Sequence, residues 1–159
     1  MLTTLVALAL MGSTPTCRTE QLHVWLARTG AALGTVGGYL AFTNRGATCT
    51  LQGWPTLKFL GANNGALAVP EQKVEKPGAA PSITLAPGRT AFAGIKWVLG
   101  DKAETSTFVA TSVTVAPPNH TAVKANLIGT DGKVAGYLEL PLKSVQVGTL
   151  QPSSQGVLF

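Results

Sequence analysis

The sequence predicts an all-β protein, an immunoglobulin-like antiparallel β-sandwich of about nine to ten strands with one disulfide. Three observations lead there. Short runs alternate apolar and polar residues with a period of two, as where Leu22, Val24 and Leu26 interleave with His23 and Trp25. Turn-forming groups separate the runs: Asn44-Arg45-Gly46, Asn64-Gly65, Ala86-Pro87-Gly88, Pro117-Pro118-Asn119 and Asp131-Gly132. No window of about ten residues combines helical periodicity with caps.

Composition agrees. Hydrophobic residues make up 45% of the 159 and charged residues 12%, against about 25% charged in an average soluble domain. That balance excludes disorder, which needs low hydrophobicity or high charge. With Gly 18 and Pro 10, it suits many strands joined by turns. The net charge of +5 is spread thinly from Arg18 to Lys143. A nucleic-acid binder concentrates its cations on one face, so no nucleic-acid partner is expected. The mild basicity serves ordinary solubility and also suits contact with an anionic envelope polymer.

In chain order, Leu2 to Met11 is an apolar run too short to span a bilayer. Residues 1–16 read as a secretory signal segment truncated at its basic start, or alternatively as a first strand. No membrane span is expected, and a single domain covers 17–159. Thr14-Pro15-Thr16 does not resemble a lipoprotein cleavage box. Cys17 is thereby available to Cys49, the only other cysteine. One disulfide closing a loop of about thirty residues would add roughly 3–4 kcal/mol and implies an oxidising compartment. Two unrelated buried thiols are the alternative.

Gln21 to Arg28 forms a half-buried strand that puts His23 and Trp25 together on its outer side. Either they meet a partner, or a second sheet, loop or edge covers them. After the glycine-rich Thr29 to Gly38, the most distinctive stretch pairs Tyr39–Asn44 with Thr48–Gln52 through Asn44-Arg45-Gly46. Leu40 and Phe42 point inward there, Tyr39 and Ala41 outward. Gly53-Trp54-Pro55 closes the pair, and Trp54 is the third candidate contact residue. Thr56–Leu60 and Ala66–Val69 form a hairpin over Asn64-Gly65. Pro70 to Pro81 is a charged surface loop.

Ser82–Leu85 and Arg89–Leu99 follow, the second with Ala91, Ala93, Ile95 and Trp97 inward and Phe92 and Lys96 outward. After the polar Gly100 to Thr107, Thr111–Ala116 turns Val113 and Val115 inward. Thr121–Ile128 and Lys133–Leu142 form a hairpin over Asp131-Gly132, with Leu138, Leu140 and Leu142 as its inward row. Val145–Leu150 adds a last strand.

Chemistry leaves no mark in the sequence. Seven acidic residues are scattered among turns and loops, and no nucleophile elbow, phosphate loop or zincin motif occurs. A triad built in space around His23 or His120 is the residual enzymatic possibility. Neither cysteine lies in a Cys-x-x-Cys, and with just two histidines, His23 and His120, no ligand set resembles a zinc site, so no metal and no cofactor are expected.

Five segments carry a resemblance. Cys17 with the Leu22 strand, Gly34-Thr35-Val36 leading to Tyr39–Asn44, Cys49-Thr50-Leu51-Gln52-Gly53-Trp54-Pro55, Thr84–Ala91, and Val113–Pro118 together resemble the actinobacterial secreted family of the domain of unknown function 4232. The resemblance implies a secreted or envelope-attached β-sandwich with no catalytic residues to transfer. A second cysteine pair that many members carry, near Thr107–Thr111 and the last hairpin, is missing here. The resulting expectation is a secreted, monomeric, non-enzymatic module binding a protein or cell-wall polymer. The alternative is a hydrolase, or a protease-associated or inhibitor protein, with a site built from loops.

Overall fold

A computed structural model describes residues 12–128, 133–134 and 139–159. The apolar run at Leu2 to Met11, the Asp131-Gly132 turn and Leu138 lie outside the described residues. Among the described residues, after one 3-10 turn at Thr19–Gln21, thirteen strands follow: β1 (Leu22–Ala32), β2 (Thr35–Asn44), β3 (Cys49–Leu51), β4 (Thr56–Leu60), β5 (Ala66–Leu67), β6 (Glu71–Lys73), β7 (Ile83–Leu85), β8 (Thr90–Leu99), β9 (Phe108–Ala110), β10 (Ser112–Ala116), β11 (Val123–Lys124), β12 (Asn126–Ile128) and β13 (Leu140–Val147). The count exceeds the expected nine to ten because loops contribute two- and three-residue strands that carry no period of their own.

The largest sheet runs β12-β1-β2-β8-β13-β6, with β9 also pairing β13. A second sheet runs β11-β10-β4-β5, and β3 pairs β7 alone. The inward rows of all three meet in one buried cluster. Leu26, Leu40, Phe42, Ile95, Trp97 and Val147 come from the large sheet; Leu57, Phe59, Val113 and Val115 come from the second; Leu51, Ile83 and Leu85 come from the pair. This is the predicted all-β sandwich, and alternation with period two is what sends each row inward. Cys17 and Cys49 are disulfide-bonded and buried, stapling the segment before β1 to β3. Pro15 and Thr16 join that staple: the Pro15 carbonyl accepts the Thr50 amide, and Thr16 bridges to Thr50.

Several pairings differ from expectation. Tyr39–Asn44 and Thr48–Gln52 do not pair with each other, because β2 is flanked by β1 and β8 while β3 goes to β7. The turn between them is instead a crossing between sheets, built on Asn44. That side chain is fully buried, accepts from Gln21 Nε2 and the Gly46 amide, and donates to the carbonyls of Ala47 and Leu85. A buried amide with four partners meets the rule that enclosed polar groups be satisfied.

The glycine-rich Thr29 to Gly38 is itself strand. β1 and β2 form one long hairpin whose two-residue tip, Leu33-Gly34, has φ of 51° and 76°, the backbone of a type I′ turn. The segment read as a charged loop contains β6, which pairs in parallel with β13 from Glu71↔Val145 to Lys73↔Val147. Thr121–Ile128 divides between sheets: β11 pairs β10, and β12 pairs β1 in parallel. Of the last expected hairpin, the described residues retain only the bridge Ile128↔Val134. Its second arm and the expected final strand merge into β13 across a register shift between Leu142 and Ser144.

Candidate functional site

The site candidate is the outer face of the large sheet, where β12, β1, β2 and β8 lie side by side. β2 is paired on both edges over this stretch, β1 meets β12 at Trp25–Ala27 beside β2, and Phe92 of β8 exchanges main-chain hydrogen bonds with Gln151, so the groove is met mainly through side chains. The register stacks outward residues in rows. Asn126, Trp25, Ala41 and Phe92 form one row; Ile128, Ala27, Tyr39 and Gly94 form the next; His23, Thr43 and Thr90 form a third.

These rows enclose a shallow groove of about 340 Å³ lined by Trp25, Ala27, Tyr39, Ala41, Thr43, Thr90, Phe92 and Ile128. Two ring pairs frame it. His23 and Trp25 lie with centroids 4.7 Å apart at 36°, and Tyr39 meets Phe92 edge-on at 5.9 Å and 68°. Edge-to-face packing at this distance suits the aromatic quadrupole and holds both rings in place. The alanines between the pairs keep the floor low.

The polar groups stand at the margins. The Thr43 and Thr90 hydroxyls share a hydrogen bond of 2.8 Å, and Asn126 Nδ2 donates to His23 Nε2 at 3.2 Å. Among the described residues the Tyr39 hydroxyl has no partner. Among the described residues no Asp, Glu, Lys or Arg lines the groove.

The C-terminal segment bounds it on one side. A Cβ on Gly94 would sit 1.8 Å from the Val157 carbonyl oxygen, and one on Gly148 would sit 2.6 Å from the Lys76 carbonyl. Glycine at both positions lets Val157 and Phe159 cross the sheet in contact with backbone. Beyond this strap a second groove, of about 400 Å³, is lined by Thr35, Glu71, Gln72, Lys96, Ser144 and Gln146. Its Glu71 carboxylate accepts the Leu57 amide at 2.9 Å. Burial raises the Glu71 pKa above the ordinary value of 4.5, against the opposing pull of the Leu57 bond and the Lys73 charge.

The three proposed contact residues part company here. His23 and Trp25 are brought together on the outer face, half-buried, as the strand period implies. Trp54 is half-buried elsewhere and donates its indole N–H to the Val74 carbonyl at 2.9 Å, pinning the segment after β6. Tyr39 and Phe92, outward by the same period, are the groove residues that sequence reasoning did not single out.

His120 lies 3.2 Å from the Thr16 hydroxyl and shares a depression with Glu20, but no hydrogen bond orients its ring from a carboxylate among the described residues. Among the described residues no three His, Cys, Asp or Glu side chains could hold a metal ion together, and no helix is long and apolar enough to cross a membrane.

The model of the family described as Domain of unknown function (DUF4232) matches residues 17–151. The chain belongs to the DUF4232 family. In this DUF4232 chain the match begins at the disulfide cysteine Cys17 and takes in every residue lining the groove, while Val157 and Phe159 of the strap fall outside it. No curated protein and no solved structure matches this DUF4232 sequence.

Proposed function

We propose that the chain is an exported, non-enzymatic, monomeric binding module that holds a cell-envelope polymer or protein against the outer face of its large sheet. The observation that carries this reading is the groove itself. It combines two framed aromatic pairs and a low alanine floor, with no ionic side chain among the described residues that line it, over a β2 main chain paired on both edges. Aromatic residues on a rigid sheet supply contact area at small entropic cost, which is how binding surfaces concentrate affinity. The disulfide supports an oxidising compartment.

The test is retention of the oxidised chain on insoluble envelope material from its own source, compared with Trp25→Ala and Phe92→Ala. Loss of about tenfold in apparent affinity is expected for each, as for the central residues of an interface. Equal retention of all three proteins would remove the groove from the function. The contact between His120 and Thr16 favours a second reading, a loop-built hydrolase. It would require hydrolysis of an ester or peptide by the pure chain that His120→Ala abolishes.

A further inference from the structure

The groove's chemistry also narrows its occupant, on the assumption that the outer face is the binding surface. We infer that it takes a neutral saccharide chain, with one sugar ring seated over Ala41 between Trp25 and Phe92.

Width comes first. Trp25, Ala41 and Phe92 are register partners on three adjacent strands, so Trp25 and Phe92 stand about 9–10 Å apart at their backbones, two strand spacings. Ala41, buried at 6% exposure, forms a low floor between them. A single ring fits there with aromatic surface on both sides. A bulkier polypeptide element would have to bridge over the rings.

Charge comes second. The protein carries +5, yet among the described residues no ionic side chain lines this groove. An anionic polymer would leave its charges facing apolar rings, at a desolvation cost nothing here offsets. A peptide backbone fares no better, because the β2 main chain under the groove is bonded on both edges and that of Phe92 is bonded to Gln151.

A sugar ring matches what remains. Its axial C–H face stacks on indole and phenyl rings, while its equatorial hydroxyls reach outward to polar margins. Those margins hold the Tyr39 hydroxyl, unpartnered among the described residues, and the Thr43–Thr90 pair, which keeps acceptor lone pairs to spare.

The experiment titrates the full oxidised chain with chitohexaose and maltohexaose, neutral probes, and with heparin as the anionic one, following Trp fluorescence. Trp97 is buried and Trp54 is tied to Val74, so Trp25 is the reporter. Saturable quenching by a neutral hexasaccharide, insensitive to salt, is expected with Kd of about 0.1–1 mM. Phe92→Ala should weaken it about tenfold, and Tyr39→Phe, which keeps the ring and its packing, about threefold.

Heparin binding more tightly, or neutral binding that survives Phe92→Ala in a protein with an unchanged melting curve, would overturn the inference. So would the absence of any neutral-sugar signal while Trp25→Ala still abolishes retention on envelope material. In that case the binding face stands and its ligand is of another class. If Trp25→Ala leaves retention intact as well, the face and the saccharide fall together.

Discussion

Glu71 is a side chain whose ionisation the fold resists. Desolvation raises its pKa above 4.5 although the Leu57 amide and Lys73 favour the charged form. An acid with a raised folded pKa contributes stability below its unfolded pKa, and that contribution is lost as pH rises through the folded value. Glu71→Gln keeps a carbonyl oxygen for the Leu57 amide and has no charge to desolvate. The variant is expected to melt higher than the parent at neutral pH, with the gap closing as pH falls below the ordinary 4.5. Melting curves from about pH 3 to pH 8 give the answer, and a gap that stays constant would separate the effect from ionisation. Other side chains take their roles from partners distant in sequence. Asn44 looks like any turn residue until its partners, Gln21 and Leu85, arrive from distant segments. The Trp54 indole looks like a free contact until β6 brings the Val74 carbonyl to it.

At the level of elements, the β1–β2 hairpin carries a local conflict at its tip. Leu33 holds φ of 51° and is fully exposed. Side chains with a Cβ adopt that region at a cost of about 1–2 kcal/mol, and Asn is among the few that tolerate it. Leu33→Asn is therefore expected to stabilise the fold by about 0.5–1 kcal/mol in urea unfolding. A loss of stability would mean that the Leu33 side chain has packing this exposure does not reveal. Elements also show what the sequence could express. The period in Leu22–Leu26 and Ala91–Trp97 set both the strands and their inward faces correctly, because alternation is a local property. Partner choice is not local. Nothing in Thr48–Gln52 says that it will pair with β7 instead of β2, and the polar Glu71–Lys73 has no apolar face to announce β6. The groove follows the same division: each of Trp25, Tyr39 and Phe92 is outward by its own period, but only the β1-β2-β8 register brings them together.

For the whole molecule, the Cys17–Cys49 bond links two positions 32 residues apart. Closing a loop of that size restricts the unfolded chain by roughly 3–4 kcal/mol. The double change Cys17→Ser with Cys49→Ser is expected to lower Tm by about 10 °C, given about 2–4 °C per kcal/mol in a domain of this length. A Tm unchanged in the double variant, or a parent indifferent to reductant, would show that the core alone sets stability. The inward rows of all three sheets share one cluster, so unfolding should follow a single transition in either protein.

The same bond has a mechanical side. β1 and β2 lie wholly between Cys17 and Cys49, so tension along the chain passes from one sulfur to the other and does not run through them. The strands that bear Trp25 and Tyr39 are thus shielded from a pull that would unravel β8 or β13. In single-molecule stretching, the oxidised chain should release a contour length shorter than the reduced chain by about 11 nm, the span of the bypassed residues at roughly 3.6 Å each. A module anchored at one end and tugged by its surroundings would keep half of its binding face out of the load path.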